Sequence, residues 1–276
     1  MILVTGATGN AGGAVVRALL DAGEPVRALV RAGSESKLAP GAEAVVGDLN
    51  RPDTLGEAIA GASAAFLLSG YDGIGETLAA MRRAGVERVA LLSSSAVPSG
   101  DMTNAVARYH ILSEQAVRES GLKWTFLQPN SFMTNTFQWL PQLREGDVIR
   151  APFGDVPVAT IDPADIAAVA VKALTSDELE GRSLRLSGPE ALYPADRARI
   201  LGSAIGRQLR FEAQSNEEAR EEMSAAMPAE YVEAFFSFFV DGTIDETTVL
   251  PTVGEVLGRE PNTFEHWVTE NAGAFR

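Results

Sequence analysis

The 276-residue chain contains no cysteine. That excludes disulfides, thiolate catalysis and thiolate-bound metal. Histidine is almost as scarce: His110 and His266 are the only two, far apart in sequence, so no histidine-based metal site is expected. Basic residues are also in deficit, 23 Lys and Arg against 37 Asp and Glu, for a formal charge of -14. No dense basic cluster offsets this locally, which argues against direct nucleic-acid binding, because phosphate contacts need a basic footprint. Long apolar runs are missing as well. Stretches such as Val89–Leu92 and Ile166–Val171 fall far short of the roughly 20 residues a membrane span requires. Met1 leads directly into a short apolar stretch with no charged leader, so no signal peptide, no membrane association and a cytoplasmic location are expected.

What is present is ordinary for a globular chain: 46% hydrophobic and 22% charged residues, enough to build a sizeable core. The length suits one main domain with a smaller appended lobe. From residue 1 to about 130, apolar β-branched runs alternate with amphipathic segments, which predicts stacked βα units and a doubly wound parallel sheet. Strands are expected at Ile2–Val4, Val26–Val30, Ala44–Val46, Ala64–Leu68, Arg88–Leu92 and Trp124–Leu127, and helices near Ala11–Asp21, Thr54–Ile59, Ile74–Ala84 and Val106–Glu119. Gly23, Gly61, Gly85 and Gly121 stand where left-handed helix caps would fall. Residues 131–276 lose this alternation and read as a smaller α+β lobe, interwoven with the first rather than independent. In it, Asp162–Leu174 reads as a buried helix, Ser183–Leu186 as a strand, and Glu217–Val240 as helix broken at Pro228.

After the first strand comes Thr5-Gly6-Ala7-Thr8-Gly9-Asn10-Ala11-Gly12, then a helix. A side chain at Gly6 would block the turn, one at Gly9 would block the approach of a pyrophosphate, and one at Gly12 would hold helix and strand apart. The N–H groups near Asn10 and Ala11 would face an anion with the helix dipole behind them. The turn therefore predicts a dinucleotide site. Where an NAD-specific site carries an acidic residue after the second strand, this chain has Arg31, followed by Ser34 and Lys37. Those cations suit a 2′-phosphate, so NADP(H) is preferred over NAD(H); the plainer alternative is solvated surface charge. Gly47-Asp48-Leu49 would lie near the adenine, with Asp48 either accepting from its amine or capping the next turn. Strand ends at Leu68-Ser69-Gly70, Ser93-Ser94-Ser95 and Gln128-Pro129-Asn130 should line the rest of the groove.

These segments carry a family resemblance. TGATGNAGG at 5–13, VRALVR at 26–31, VGDL at 46–49 and the run from His110 to Asn135 resemble the atypical short-chain dehydrogenase/reductase group that contains NmrA-like proteins and bacterial NAD(P)H:quinone reductases. Ile161–Ala167, Ser187–Glu190 and Val256–Pro261 extend the likeness over nearly the whole chain. Short-chain dehydrogenases use a Tyr and, four residues later, a Lys that stands four residues before a glutamate. Counted from Glu114, those positions hold Val106 and His110, so the pair is substituted; Tyr109 is out of phase. His110, at the lysine's position, would hydrogen-bond the nicotinamide ribose or relay a proton, or else be a histidine satisfied within its helix. An Arg-Pro pair frequent in the family is Gln128-Pro129 here.

The resemblance implies a nicotinamide-side wall at Asn130–Asn135, with Phe132 as a stacking surface and Asn135 as a polar anchor of a substrate pocket that Ser95 also reaches. The aromatic run Tyr231–Phe239 is rich enough to roof a pocket for a flat apolar molecule, with Phe235 and Phe239 as its candidates. The expected protein is thus a reductase, monomeric or homodimeric, in which NADP(H) delivers hydride to a quinone-like or conjugated carbonyl small molecule. The alternative is a non-catalytic NADP(H) sensor acting through a protein partner. A closed aromatic pocket would favour the enzyme; an open groove beside an exposed apolar patch would favour the sensor.

Overall fold

A computed structural model describes all residues, Met1–Arg276. The strands are β1 (Ile2–Val4), β2 (Val26–Val30), β3 (Glu43–Val46), β4 (Ala64–Leu68), β5 (Arg88–Leu92), β6 (Lys123–Pro129), β7 (Val148–Ala151), β8 (Arg182–Leu186) and β9 (Arg210–Ala213). The helices are α1 (Asn10–Asp21), α2 (Gly56–Ile59), α3 (Ile74–Arg83), α4 (Ala105–Glu119), α5 (Leu140–Glu145), α6 (Pro163–Thr175), α7 (Pro194–Ile205), α8 (Asn216–Ala226), α9 (Ala229–Phe239), α10 (Thr252–Leu257) and α11 (Phe264–Asn271). None is long and apolar enough to cross a membrane.

Seven strands form one sheet in the order β3-β2-β1-β4-β5-β6-β8. Strands β1 to β6 pair in parallel, with Leu3 opposite Arg27 on one side and Ala65 on the other. This is a Rossmann-type fold, and its strand order reverses at β1, between β2 and β4, which is where such sheets open a binding crevice. The expected glycine caps are present: Gly23, Gly61, Gly85 and Gly121 all have φ between +71° and +87°. No side chain takes that conformation easily, so each glycine ends its helix and turns the chain toward the next strand.

The chain divides into two compact units that are interleaved in sequence. The first comprises Met1–Val97, Arg108–Pro129 and Pro163–Arg185; the second comprises Pro98–Ala107, Asn130–Asp162 and Leu186–Arg276. Thus the 131–276 stretch returns α6 and most of β8 to the large sheet, because α6 is apolar on most of its surface and β8 supplies a seventh strand. A core of Leu3, Leu29, Leu67, Leu78, Met81, Leu91 and Phe126 fills the first unit.

The second unit has its own core, centred on Trp139, Ile149, Leu201, Phe264 and Trp267. Its parallel ribbon β7-β9 pairs Val148 with Arg210 and Ala151 with Ala213. Neither the ribbon nor α7 is legible in the alternation of the chain, since the strands are four residues long and the pairing spans sixty positions. The helical run broken at Pro228 resolves into α8 and α9. Ser215 and Glu218 form a reciprocal capping box that starts α8.

Candidate functional site

The glycine turn is built as its residues require. Gly6 has φ +62°, and a Cβ there would lie 2.5 Å from Leu68 Cδ1. At Gly12 a Cβ would lie 2.2 Å from the carbonyl oxygen of Gly6 and 2.8 Å from that of Thr5, both rigid backbone. Gly9 differs: its nearest neighbour would be Gly6 O at 3.3 Å, so the chain itself nearly tolerates a methyl group there. What Gly9 keeps clear is the space above the turn. Helix α1 starts at that point with no side-chain cap and no acidic residue in its first turn. A helix N-terminus left without its usual partner, at the reversal point of a parallel sheet and behind a bare glycine, fits the pyrophosphate of a dinucleotide.

Arg31 is exposed at the end of β2, and Lys37 is exposed in the short helical turn Glu35–Lys37 that Ser34 precedes. Asp48 Oδ1 accepts a 2.9 Å hydrogen bond from the Asn50 N–H, which is the turn-capping role left open above. Leu49 is buried in the core. Tyr71 was not anticipated. Burial raises its phenol pKa, Arg31 lowers it and Asp48 raises it, which places all three at the same end of the sheet. The one available signal was its position just after the strand end Leu68-Ser69-Gly70.

Helix α4 meets that strand end closely. Gly70 has φ +89°, and a Cβ on it would press on the Tyr109 ring at 3.1 Å; its N–H donates to Ser113 Oγ at 3.1 Å. Ser69 Oγ donates to Leu92 O at 2.8 Å. Tyr109 and Ser113 therefore hold β4's exit against the helix. His110 stacks at a tilt on Tyr109, with ring centroids 4.2 Å apart. Its Nδ1 is buried and has no hydrogen-bond partner, and burial pushes its pKa down to about 3. Burial thus favours the neutral imidazole, and no local polar group satisfies Nδ1.

Two expected groove residues turn inward. Ser93 Oγ and Gln128 Nε2 both donate to Glu114 Oε1, at 2.6 and 2.7 Å, and Arg118 pairs with the other oxygen at 3.2 Å. The buried carboxylate captures these side chains because no water reaches it. Ser94 Oγ accepts from the Ala96 N–H at 3.1 Å, and the Ser95 N–H donates to Pro129 O at 3.0 Å. Ser95 is thus a buried residue of the first unit.

In the second unit the Asn130–Asn135 segment is clamped rather than free. Asn130 Nδ2 donates to Ala159 O and Glu246 O, and Ser131 donates through both N–H and Oγ to the Glu246 carboxylate, the latter at 2.6 Å. Asn130 Oδ1 is buried with no partner. Phe132 bridges to Ile161 through the backbone.

Beside this segment lies a cavity of about 500 Å³ within the second unit. Asn135, Phe235 and Phe239 line it; Phe132 and Ser95 do not. The helical period explains α9: Phe235 and Phe239, four residues apart, share the cavity face, while Val232 and Phe236 pack into a small core with Ala219. Trp139, Phe153, Met223, Met227 and Arg197 complete the walls and were not anticipated from the sequence. Phe153 has φ +55°, a conformation rare for a bulky side chain, and stacks on Phe239 with centroids 5.0 Å apart. The only sequence signal for Arg197 was its spacing four residues from the fully buried Leu201.

The glycine turn at β1 and the doubly wound sheet define a dinucleotide-binding α/β protein. The chain belongs to the NmrA-like family, whose model matches residues 1–268. It is 41% identical, over all of its own length and 99% of the relative's, to a (4-alkanoyl-5-oxo-2,5-dihydrofuran-3-yl)methyl phosphate reductase of Streptomyces griseus subsp. griseus. It is 35% identical, over 100% and 99% of the two chains, to an NAD(P)H azoreductase of Xenophilus azovorans. Among solved structures, an NADPH-dependent quinone oxidoreductase from Escherichia coli superposes with a TM-score of 0.79 at 24% identity, covering 98% of this chain and 99% of that one. The similarity to that structure is one of fold.

Proposed function

We propose that the protein is an NADPH-dependent reductase of a small conjugated acceptor. The single observation that carries this reading is that the chain has both an uncapped, glycine-cleared helix start and an aromatic-walled, half-open cavity of about 500 Å³. A sensor would act instead through a broad apolar docking face.

In this reading the backbone from Gly6 to Gly12, including Thr8 and Asn10, holds the pyrophosphate. Arg31 and Lys37 take the 2′-phosphate, and Asp48, Leu49 and Tyr71 border the adenine. Leu68, Ser69, Gly70 and Ser94 form the groove wall through backbone and hydroxyl groups, while Ser93 and Gln128 support it from within through Glu114. Asn130 and Phe132 belong to the wall on the nicotinamide side. Bound there, NADPH supplies the hydride.

His110, neutral and with a bare Nδ1, orients the ribose and does not act as an acid. No Tyr/Lys pair is available to protonate an isolated carbonyl. An acceptor whose negative charge spreads over a conjugated system needs no strong acid from the protein, because the reduced form takes its proton from water. The named relatives act on a dihydrofuranone phosphate and on azo compounds, and a flat conjugated acceptor of that general kind fits walls of Trp139, Phe153, Phe235 and Phe239.

The test is steady-state consumption of NADPH with a panel of butenolides, quinones and azo dyes, alongside calorimetric binding of NADPH. Turnover of at least one conjugated class is expected. Tight NADPH binding without turnover of any of them would transfer the protein to the sensor reading.

A further inference from the structure

The cavity of the second unit carries a charge that nothing in the chain neutralises. Arg197 lies in the first half of α7 and lines the cavity among Trp139, Phe153, Met223, Phe235 and Phe239. Its guanidinium stands over the Trp139 ring, 5.6 Å from the centroid, and its Nε is buried with no hydrogen-bond partner. No carboxylate lies within ion-pair distance of it, whereas the guanidinium groups of Arg27, Arg88 and Arg207 each have one. Glu222, the one other charged residue on the cavity wall, is exposed and hydrogen-bonded to Gln214. Burial pushes the Arg197 pKa down to about 10, which still leaves the group cationic at neutral pH.

The other orphaned groups around the same cavity point the same way. Trp139 Nε1 and Thr134 Oγ1 are also buried without partners, and both residues line it. The residues that line the cavity therefore include three that each carry a buried, unpaired polar atom: Arg197, Trp139 and Thr134. All three can donate. A cation half withdrawn from water and left without a counterion is destabilising unless a ligand supplies the counterion. An arginine over an aromatic ring also has its fork held for an oxyanion.

We propose that Arg197 is the specificity-determining residue of the cavity, and that it selects acceptors in which an apolar body carries an oxyanion, a phosphate monoester or a carboxylate. The aromatic and methionine walls take the apolar body; Arg197 takes the anion. The proposal rests on the reductase reading only in assigning the cavity to the acceptor. The anion site itself stands on the unpaired charge.

Binding can be measured without cofactor or turnover. Titration calorimetry of the full chain with hexyl phosphate, hexanoate and hexanol, which share one apolar body, separates the charge from the body. At least one anion is expected to bind roughly tenfold to a hundredfold tighter than hexanol, the scale of one charge-assisted contact. Arg197→Met should abolish that difference, and Arg197→Lys should retain part of it, with circular dichroism showing that each variant is folded. A preference for hexyl phosphate identifies the phosphate source, and one for hexanoate the carboxylate. If neither anion outbinds hexanol, or if the preference survives in Arg197→Met, the proposal fails. The reductase reading is judged separately, by NADPH consumption with neutral conjugated acceptors: turnover there with no anion preference overturns only the role of Arg197. Anion binding without any turnover overturns only the reductase.

Discussion

Ser93 Oγ donates a 2.6 Å hydrogen bond to Glu114 Oε1, tying the end of β5 to the middle of α4 through a carboxylate that is completely buried. Gln128 donates to the same oxygen from β6, so one acidic side chain fastens two strand ends and a helix. Glu114→Ala should destabilise the protein by about 2–4 kcal/mol, because it leaves two buried donors unpaired as well as removing the bonds. Glu114→Gln, which keeps the shape and one acceptor, should lose less. Urea unfolding followed by circular dichroism checks both; a midpoint for Glu114→Ala equal to wild type would show that the network contributes nothing.

The glycine turn makes two alanine substitutions separable. Gly12→Ala puts a methyl group 2.2 Å from a backbone oxygen, so helix and strand must move apart. Stability should fall by about 2 kcal/mol or more, and cofactor binding should be lost with it. Gly9→Ala meets only a 3.3 Å contact, so the protein should stay within about 1 kcal/mol of wild-type stability and still lose NADPH affinity. Equal thermal shifts for the two variants would contradict this reading of the turn.

Arg31 is exposed at the end of β2, where an NAD-specific site carries a carboxylate. Calorimetry should show tighter binding of NADPH than of NADH. Arg31→Ala should weaken NADPH by roughly tenfold to a hundredfold and leave NADH nearly unaffected, since only the former has a 2′-phosphate to lose. A wild-type preference for NADH would overturn the assignment.

His110 has two separate pH consequences. Its pKa is about 3 in the folded chain against an ordinary 6.5, so the unfolded state binds a proton between those values and the folded state does not. The stability this histidine contributes is therefore complete above about pH 6.5 and lost progressively as pH falls toward 3. His110→Phe should flatten that part of the stability profile. Turnover should show no inflection near pH 6.5, because the imidazole stays neutral throughout the range. A wild-type inflection near neutrality that vanishes in His110→Phe would instead make it a proton relay.

Much of the first unit was legible because its signals are local. Alternating apolar runs, and glycines at 23, 61, 85 and 121, act within a few residues of where they stand, and the observed strands β1, β2, β4 and β5 begin and end where the pattern puts them. The boundary of α6 and the break at Pro228 are local in the same sense. The ribbon β7-β9 was not legible, since nothing in Val148–Ala151 announces that Arg210–Ala213 will lie beside it. Ser93 and Gln128 read as groove residues from their place at strand ends. Whether their side chains face outward depended on a carboxylate elsewhere in the chain.

Sequence alone determined the dinucleotide turn, because a backbone at φ +62° at Gly6 and a helix packed against carbonyl oxygens at Gly12 admit no other residue without strain. It also determined that Phe235 and Phe239 share one face, since four residues make about one helical turn. Only the tertiary structure decided that Trp139, Phe153 and Arg197, from three separate segments, meet around one cavity. Only it decided that the histidine at 110 is neutral and that the arginine at 197 has no counterion. Burial and charge pairing depend on neighbours brought from far along the chain, and a list of residues in order does not contain those distances.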